Sequence, residues 1–212
     1  MSSKALEHLC EIAASFHRRG YAFGSTGNLS LRMEDRVWIT PTGESLRNLS
    51  PKQIACIDLT GKPLNENRPS KEHPFHLAAY SSAGDRAAAL VHLHSTNAVA
   101  LSCLDSLDPE EPLPPITPYY LMRVAPLAVL PYFRPGSAEL GDAVGVAAAD
   151  HDCMLLRNHG LICLGRTMDE AVDRTEELEE TARLFFLLRG EKRRELTQAE
   201  REEINRVFRP PR

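Results

Sequence analysis

Two histidines at the end of an apolar run, His92 and His94, are the residues of this chain best placed to do chemistry. The run at 89–93 is typical of a buried strand. Because successive side chains of a strand point to opposite faces, the two histidines share one face while Val91 and Leu93 take the other. Two imidazoles on one face supply half of the ligands that a divalent metal ion needs.

A third histidine, His159, directly follows a second apolar run, at 153–156, which predicts another buried strand. Three neutral imidazoles with one coordination position left open are typical of a catalytic zinc site rather than a closed structural one. Each histidine could instead be a hydrogen-bonded residue at a strand end. Glu72 and His76, four residues apart on a predicted helix, are a rival half of a metal site.

Three short polar clusters, at 27–30, 40–43 and 70–72, lie at predicted turns or helix starts. Backbone N–H groups in such turns, with Asn, Thr and Ser side chains, can surround a phosphate. Lys71 would add a positive charge. Each cluster alone is also compatible with a plain turn or a helix cap.

The composition is that of an ordinary globular protein. The 212 residues are 42% hydrophobic and 25% charged, with a formal net charge of −4 and a pI near 6.1. This charge offers no general attraction to nucleic acid, and no apolar stretch approaches the ~20 residues of a membrane span. The amphipathic start lacks the apolar core of a signal peptide, so we expect a cytoplasmic protein without nucleic-acid or membrane partners.

The elements that must position these residues follow from hydrophobic spacing and turn signals. Polar residues at 24–31 predict a loop, and a proline-rich surface loop at 108–118 leads into Tyr119 and Tyr120. The early strands resemble an antiparallel meander more than βαβ units. Helices are predicted at 3–19, from 71, at 137–149, at 167–188 and from 197, and strands at 37–40, 54–59, 89–94, 153–159 and 161–164.

These clusters, in this order over nearly the whole chain, resemble the class II aldolase/adducin superfamily. The resemblance implies a single three-layer α/β/α domain over 1–212, with a largely antiparallel central sheet. It also implies Zn²⁺ on His92, His94 and His159, although Mn²⁺, Co²⁺ or Fe²⁺ would suit the same ligands. Glu72 would then act as acid/base and as a fourth ligand. The residues implied to hold a substrate phosphate are Asn28, Thr42, Gly43, Ser70 and Lys71.

Within the superfamily the chain is most similar to the decarboxylases of 3-oxo-tetronate 4-phosphates, through the segments at 18–21, 69–72, 96–104, 117–119 and 176–182. Lys71, which stands where the aldolases usually carry a second serine, favours the same subgroup. The implied reaction releases CO₂ and leaves a metal-stabilised enediolate, whose protonation gives dihydroxyacetone phosphate. Glu72 would supply that proton, with Tyr119 as second donor and Tyr120 as its rival.

The resemblance implies a homotetramer with sites at subunit interfaces, so that Tyr119 could serve a neighbour's metal. The partner is a small phosphorylated sugar acid, and no cofactor beyond the metal is implied. Two alternatives stay open: a class II aldolase or epimerase of the fuculose or ribulose phosphate type, and an adducin-like interaction module without catalysis.

Overall fold

The computed structural model describes residues 2–208, which form seven β-strands and six α-helices. The helices are α1 (Ser2–Arg18), α2 (His73–Ala83), α3 (Thr96–Ser102), α4 (Ala138–Ala148), α5 (Met168–Leu187) and α6 (Gln198–Phe208). The strands are β1 (Asn28–Met33), β2 (Arg36–Ile39), β3 (Ala55–Asp58), β4 (Ala89–Leu93), β5 (Leu127–Leu130), β6 (Cys153–Leu156) and β7 (Gly160–Gly165). No helix in this range combines the length and the apolar character that a membrane crossing requires.

All seven strands belong to one open sheet, in the order β3-β2-β1-β4-β7-β6-β5. Every neighbouring pair is antiparallel except β5 and β6, which run parallel. The prediction of a largely antiparallel central sheet is confirmed. The strand that carries His92, β4, lies at the centre of this sheet, where both faces are covered.

Helices pack on both faces of the sheet, which confirms the predicted three-layer architecture. Val91 and Leu93 point into a core formed with α1, α3 and α5. Leu90 and Ile162 point into a second core formed with α2 and α4. Since side chains alternate along β4, His92 faces the α2 side, where its ring meets the Phe75 ring edge-on at 5.3 Å between centroids.

The segment at 24–31 is not entirely a loop, as the sequence predicted, because β1 begins at Asn28. The polar side chains of this strand are buried and hydrogen-bonded: Ser30 contacts both His76 and Tyr80. Tertiary partners therefore override the low strand propensity of small polar residues. In the resulting register, Asn28 lies opposite His92.

The helix predicted to begin at Lys71 begins at His73, and Glu72 occupies its N-cap position. Ser70 does not cap this helix; its Oγ accepts from the backbone N–H of Glu72 at 3.3 Å and so organises the preceding turn. The side chain of Glu72 makes no cap hydrogen bond. Its carboxylate therefore remains free to face another part of the molecule.

Besides β1, the sequence did not predict α3, β5 or a five-residue π-helix at Tyr120–Val124. The strand predicted at 153–159 ends at Leu156, and a tight turn carries Asn158 with φ of 56°. Asn tolerates this left-handed backbone better than most residues. The turn leads directly into β7 and places His159 at its start.

Candidate metal centre at the strand ends

The end of β4, the turn before β7 and the start of α2 bring the candidate ligands together. His92 and His94 lie at the end of β4, and His159 precedes β7, which pairs with β4. The three imidazole rings surround one point, with centroids 4.8 to 4.9 Å apart and planes inclined by 74° to 75°. The pairing of β4 with β7 thus brings together the three histidines that the sequence predicted to form one metal site.

Glu72 completes the cluster from the start of α2. Its Oε2 lies 3.3 Å from His92 Nε2, and its Oε1 lies 3.3 Å from His159 Nε2. One ligand atom from each of the four residues lies within 4.8 Å of every other. Three imidazoles and one carboxylate form a donor set that suits Zn²⁺ and other divalent transition metals.

The cluster contains polar atoms that the protein itself does not satisfy. Among residues 2–208, Glu72 Oε1 and His159 Nε2 are buried and find no hydrogen-bond partner. Nε2 of His92 lies only 3.0 Å from Nε2 of His94. Buried polar groups are nearly always paired, and a cation bound between these converging atoms would satisfy them. The residues present therefore fit a divalent metal ion.

The imidazoles of His92 and His94 are held in the neutral form that metal binding needs. Burial, together with the neighbouring imidazoles, lowers the pKa of His94 to about 3. Burial also lowers the pKa of His92. The Nδ1 of His92 lies 2.8 Å from the carbonyl oxygen of Leu161, to which it donates. Because the neutral ring carries one hydrogen, Nε2 of His92 presents a lone pair to the cluster.

Glu72 is ionised in this site. Burial alone would raise the pKa of its carboxyl, but the positive charge that the imidazoles of His92 and His159 carry when protonated, together with the amide of Asn28, outweighs burial and holds the pKa below its ordinary value. A carboxylate is the form that can ligate a cation. A Glu72 that donates a proton during turnover must therefore first receive one.

Asn28 contacts Glu72 directly. Its Nδ2 donates to Glu72 Oε2 at 2.8 Å, and its Oδ1 lies 2.5 Å from Nε2 of His76. His76 thus faces Asn28 and is not a ligand of the cluster. The alternative in which Glu72 and His76 together form half of a metal site is therefore wrong. The sequence did not predict this role for either residue, because the contact depends on the pairing of β1 with β4.

The other candidate phosphate residues lie in two adjoining segments. An isolated bridge joins Pro41 to Pro69, and the N–H of Ser70 donates to the carbonyl of Thr40 at 3.2 Å. This contact sets the Thr42 turn beside the turn at 70–72. Gly43 is exposed with φ of 79°, and an added Cβ there would meet no atom within 4 Å. Lys71 is exposed, and Ser70 is buried.

A surface cavity of about 540 Å³ opens at the cluster. Its lining comprises Phe23, His94, Thr96, Val99, Ala100, Asn158 and His159. Tyr119 is 54% exposed and instead lines a separate cavity with Tyr21, Arg123 and acidic residues of α5. Within one chain, the described residues do not bring Tyr119 into the cavity at the histidines.

Two glycines permit the close packing of the ligand strand. A Cβ at Gly160 would overlap the carbonyl oxygen of Leu93 and approach Cδ2 of His94 to 3.1 Å. A Cβ at Gly27 would come within 3.0 Å of the carbonyl oxygen of His92. Both positions therefore require the absence of a side chain.

Comparisons with known proteins show the family to which the chain belongs. The family described as Class II Aldolase and Adducin N-terminal domain matches residues 7–186. A 3-oxo-tetronate 4-phosphate decarboxylase of Haemophilus influenzae is 48% identical over 195 residues, 92% of each chain. An L-fuculose phosphate aldolase of Methanococcus maripaludis is 36% identical over 183 residues, 86% of this chain and 97% of the relative.

Solved structures extend the similarity. The crystal structure of YgbL from Klebsiella pneumoniae superimposes with a TM-score of 0.91 at 42% identity, covering 95% of this chain and 97% of that one. A structure of an L-fuculose 1-phosphate aldolase gives a TM-score of 0.87 at 27% identity, covering 98% of this chain and 97% of that one. The fold thus has known counterparts among solved structures.

Proposed function

The chain belongs to the class II aldolase and adducin family, and on that premise we propose that it is a metal-dependent carboxy-lyase acting on a 3-oxo-tetronate 4-phosphate. The reaction breaks the bond between C1 and C2, releases C1 as CO₂ and adds one proton to C2. The product is dihydroxyacetone phosphate. The observation that carries the proposal is the buried, converging cluster of Glu72, His92, His94 and His159 in a chain 48% identical to such a decarboxylase.

The metal is held by the three imidazoles, with Glu72 as the fourth ligand, and we propose Zn²⁺. Bound there, it acts as a Lewis acid that stabilises negative charge developing on substrate oxygens as CO₂ leaves. Mn²⁺, Co²⁺ and Fe²⁺ suit the same donor atoms.

Glu72 has a second role, carrying a proton to C2. Because its carboxylate is ionised in the substrate-free site, it receives that proton from solvent or from a second donor. The second donor in our proposal is Tyr119. Since Tyr119 lines a different cavity of its own chain, it serves the cluster of a neighbouring subunit in a homo-oligomer, a tetramer by resemblance.

The phosphate of the substrate is held by the two adjoining turns. The hydroxyl of Thr42, the backbone N–H of Gly43, the hydroxyl of Ser70 and the ammonium of Lys71 are the donors. The amide nitrogen of Asn28 carries a second hydrogen that can donate to a phosphate oxygen. We include in the proposal that residues 1–212 form one domain and act in the cytoplasm.

Aldol cleavage of a sugar phosphate is the second candidate, supported by the 36% identity to an L-fuculose phosphate aldolase. Retro-aldol cleavage produces the same kind of enediolate, so one site can serve either reaction. A non-catalytic adducin-like role is disfavoured, because an interaction module has no need of four converging ligand residues, two of which, Glu72 and His159, carry buried atoms without a partner among the described residues.

The test is to generate 3-oxo-tetronate 4-phosphate in situ and to follow CO₂ and dihydroxyacetone phosphate together, with L-fuculose 1-phosphate as a parallel substrate. We expect equal yields of the two products, lost on chelation and restored by Zn²⁺. His159→Asn should remove this activity and His17→Asn, in α1, should keep it. Cleavage of the sugar phosphate alone would favour the aldolase, and no turnover of either substrate would refute the enzyme assignment.

A further inference from the structure

A chain of buried polar groups extends from Glu72 into the contact between α2 and the sheet. It consists of Asn28, His76, Ser30 and Tyr80, whose exposed fractions are 4%, 0%, 0% and 1%. Beyond the contact of Asn28 with His76 described above, Nδ1 of His76 lies 2.7 Å from Ser30 Oγ. Ser30 Oγ in turn lies 2.6 Å from the hydroxyl of Tyr80.

The direction of each hydrogen bond follows from counting donors. The amide of Asn28 turns its NH₂ group toward Glu72, where Nδ2 donates to Oε2 at 2.8 Å. Its Oδ1 then faces His76, and two acceptors cannot bond to each other. Nε2 of His76 must therefore carry a hydrogen and donate to Asn28.

The hydrogen bonds at the other end of this series, between His76, Ser30 and Tyr80, agree with this assignment. Burial lowers the pKa of His76 well below its usual range, so the ring is neutral and has a single N–H. With that hydrogen on Nε2, Nδ1 accepts from the hydroxyl of Ser30. The hydroxyl of Tyr80 then donates to Ser30, shared between Oγ and the backbone carbonyl, which lies at 3.1 Å.

We infer that His76 is a positioning residue: by donating from Nε2 to Asn28, it fixes the amide with its NH₂ toward Glu72 and so holds this carboxylate against His92 and His159. The expected effect of His76 on kcat rests on the proposed function. Reversal of the amide would place Oδ1 beside the carboxylate and repel it. Partners of metal ligands that act in this way typically change metal affinity or activity by about 10- to 100-fold when mutated.

The deciding experiment compares two variants of His76 in the full chain. His76→Gln keeps an N–H donor at a similar reach, whereas His76→Met removes it at similar volume. We expect Zn²⁺ affinity, measured by calorimetry, to fall about tenfold or more for His76→Met and to stay within about threefold for His76→Gln. The value of kcat should follow the same order.

Tyr80→Phe is the matched control, since it removes a buried hydroxyl from the same chain of groups without altering the contact with Asn28. A merely structural role would make Tyr80→Phe and His76→Met lower Zn²⁺ affinity in proportion to their loss of stability. The inference predicts unchanged affinity for Tyr80→Phe even where its thermal stability falls.

A double-mutant cycle with Asn28→Ala tests the route of the effect. If His76 acts through Asn28, His76→Met should cause no further loss of Zn²⁺ affinity in the Asn28→Ala background. Additive losses would overturn the inference. So would equal affinities of His76→Met and wild type.

Nitrogen NMR of the imidazole gives a readout that does not depend on activity or metal. We expect His76 to carry its hydrogen on Nε2 in both the metal-free and the Zn²⁺-loaded chain, and a hydrogen on Nδ1 would contradict the inference. Absence of CO₂ release by the wild type, with the NMR and affinity results as expected, would refute the proposed function and leave the role of His76 standing.

Discussion

Asn28 lies directly opposite His92 in the antiparallel pairing of β1 with β4, and its amide donates to Glu72, which faces that same histidine. The register of β1 and β4 thereby places His92, a candidate metal ligand, beside Asn28, which orients the second candidate ligand Glu72. A shift of one residue in this register would turn Asn28 to the opposite face of the sheet. The geometry of the site is therefore inseparable from the pairing of the central strands.

Replacement of Glu72 by Gln separates its two proposed roles. Glu72→Gln should reduce CO₂ release by about 10²-fold or more, because the amide cannot carry a proton to carbon. Zn²⁺ should remain mostly bound by the three imidazoles. Metal content and kcat measured on one preparation test this, with the exposed Glu66→Gln as control, and an unchanged kcat would remove Glu72 from the mechanism.

Gly160→Ala should damage both the fold and the metal centre. The new Cβ would overlap the carbonyl oxygen of Leu93, so β4 and β7 must separate, at a cost of about 1–3 kcal/mol. We expect lower stability in urea and weaker Zn²⁺ binding. Gly141→Ala in α4, where the nearest atoms lie at 3.9 Å, is the control and should retain both properties. Normal Zn²⁺ affinity in Gly160→Ala would show that the strands adapt without disturbing His94.

The metal-free chain should lose stability as the pH falls below about 6.5. The pKa of His94 is lowered to about 3 in the folded chain from its ordinary value of 6.5, so between these values the unfolded state binds more protons. His92 and His76, whose pKa values are also lowered, act in the same direction. Urea unfolding at a series of pH values measures how steeply the free energy of unfolding falls as the pH is lowered. His94→Asn should make this dependence less steep. A free energy of unfolding that rises toward low pH would contradict the lowered pKa values of these histidines.

Lys71→Ala tests the proposed phosphate site. Loss of its ammonium should raise KM by about tenfold and change kcat little, because the phosphate is bound equally in the ground and transition states. Steady-state kinetics distinguish the two parameters, and Lys52→Ala serves as the control for a lost surface charge. A fall in kcat with unchanged KM would instead place Lys71 at the reacting carbon.

Tyr119→Phe tests both the second proton donor and its origin in a neighbouring subunit. The variant should lose about 10²-fold in kcat. If Tyr119 serves the cluster of another chain, oligomers assembled from Tyr119→Phe and Glu72→Gln subunits should regain activity, since some sites then receive both intact residues. Failure of the mixture to regain activity would place the two residues within one chain or exclude Tyr119.

The histidine cluster could be predicted from the sequence because its signals are local. A period of two places His92 and His94 on one face, and an apolar run precedes His159. The role of His76 could not be predicted in this way. Its spacing of four from Glu72 suggested a shared ligand face, but Glu72 precedes the first helical turn, so helical periodicity does not relate the two side chains.

The unpredicted elements depend on contacts between distant residues. The short helix α3 is held at its start by Glu179 of α5, whose carboxylate accepts from the backbone N–H groups of Asn97 and Ala98. The strand β5 has four residues and pairs in parallel with β6, 26 positions further along the chain. Neither partnership leaves a periodic pattern in the local sequence.

The most direct test of the account is to titrate the metal-free chain with Zn²⁺ while measuring the rate of CO₂ release from 3-oxo-tetronate 4-phosphate. The account predicts a rate that rises linearly and stops rising at one ion per chain, with dihydroxyacetone phosphate formed in equal amount. His159→Asn should show no such rise. Full CO₂ release by the metal-free chain would contradict the central claim that the Glu72–histidine cluster acts as a metal centre for decarboxylation.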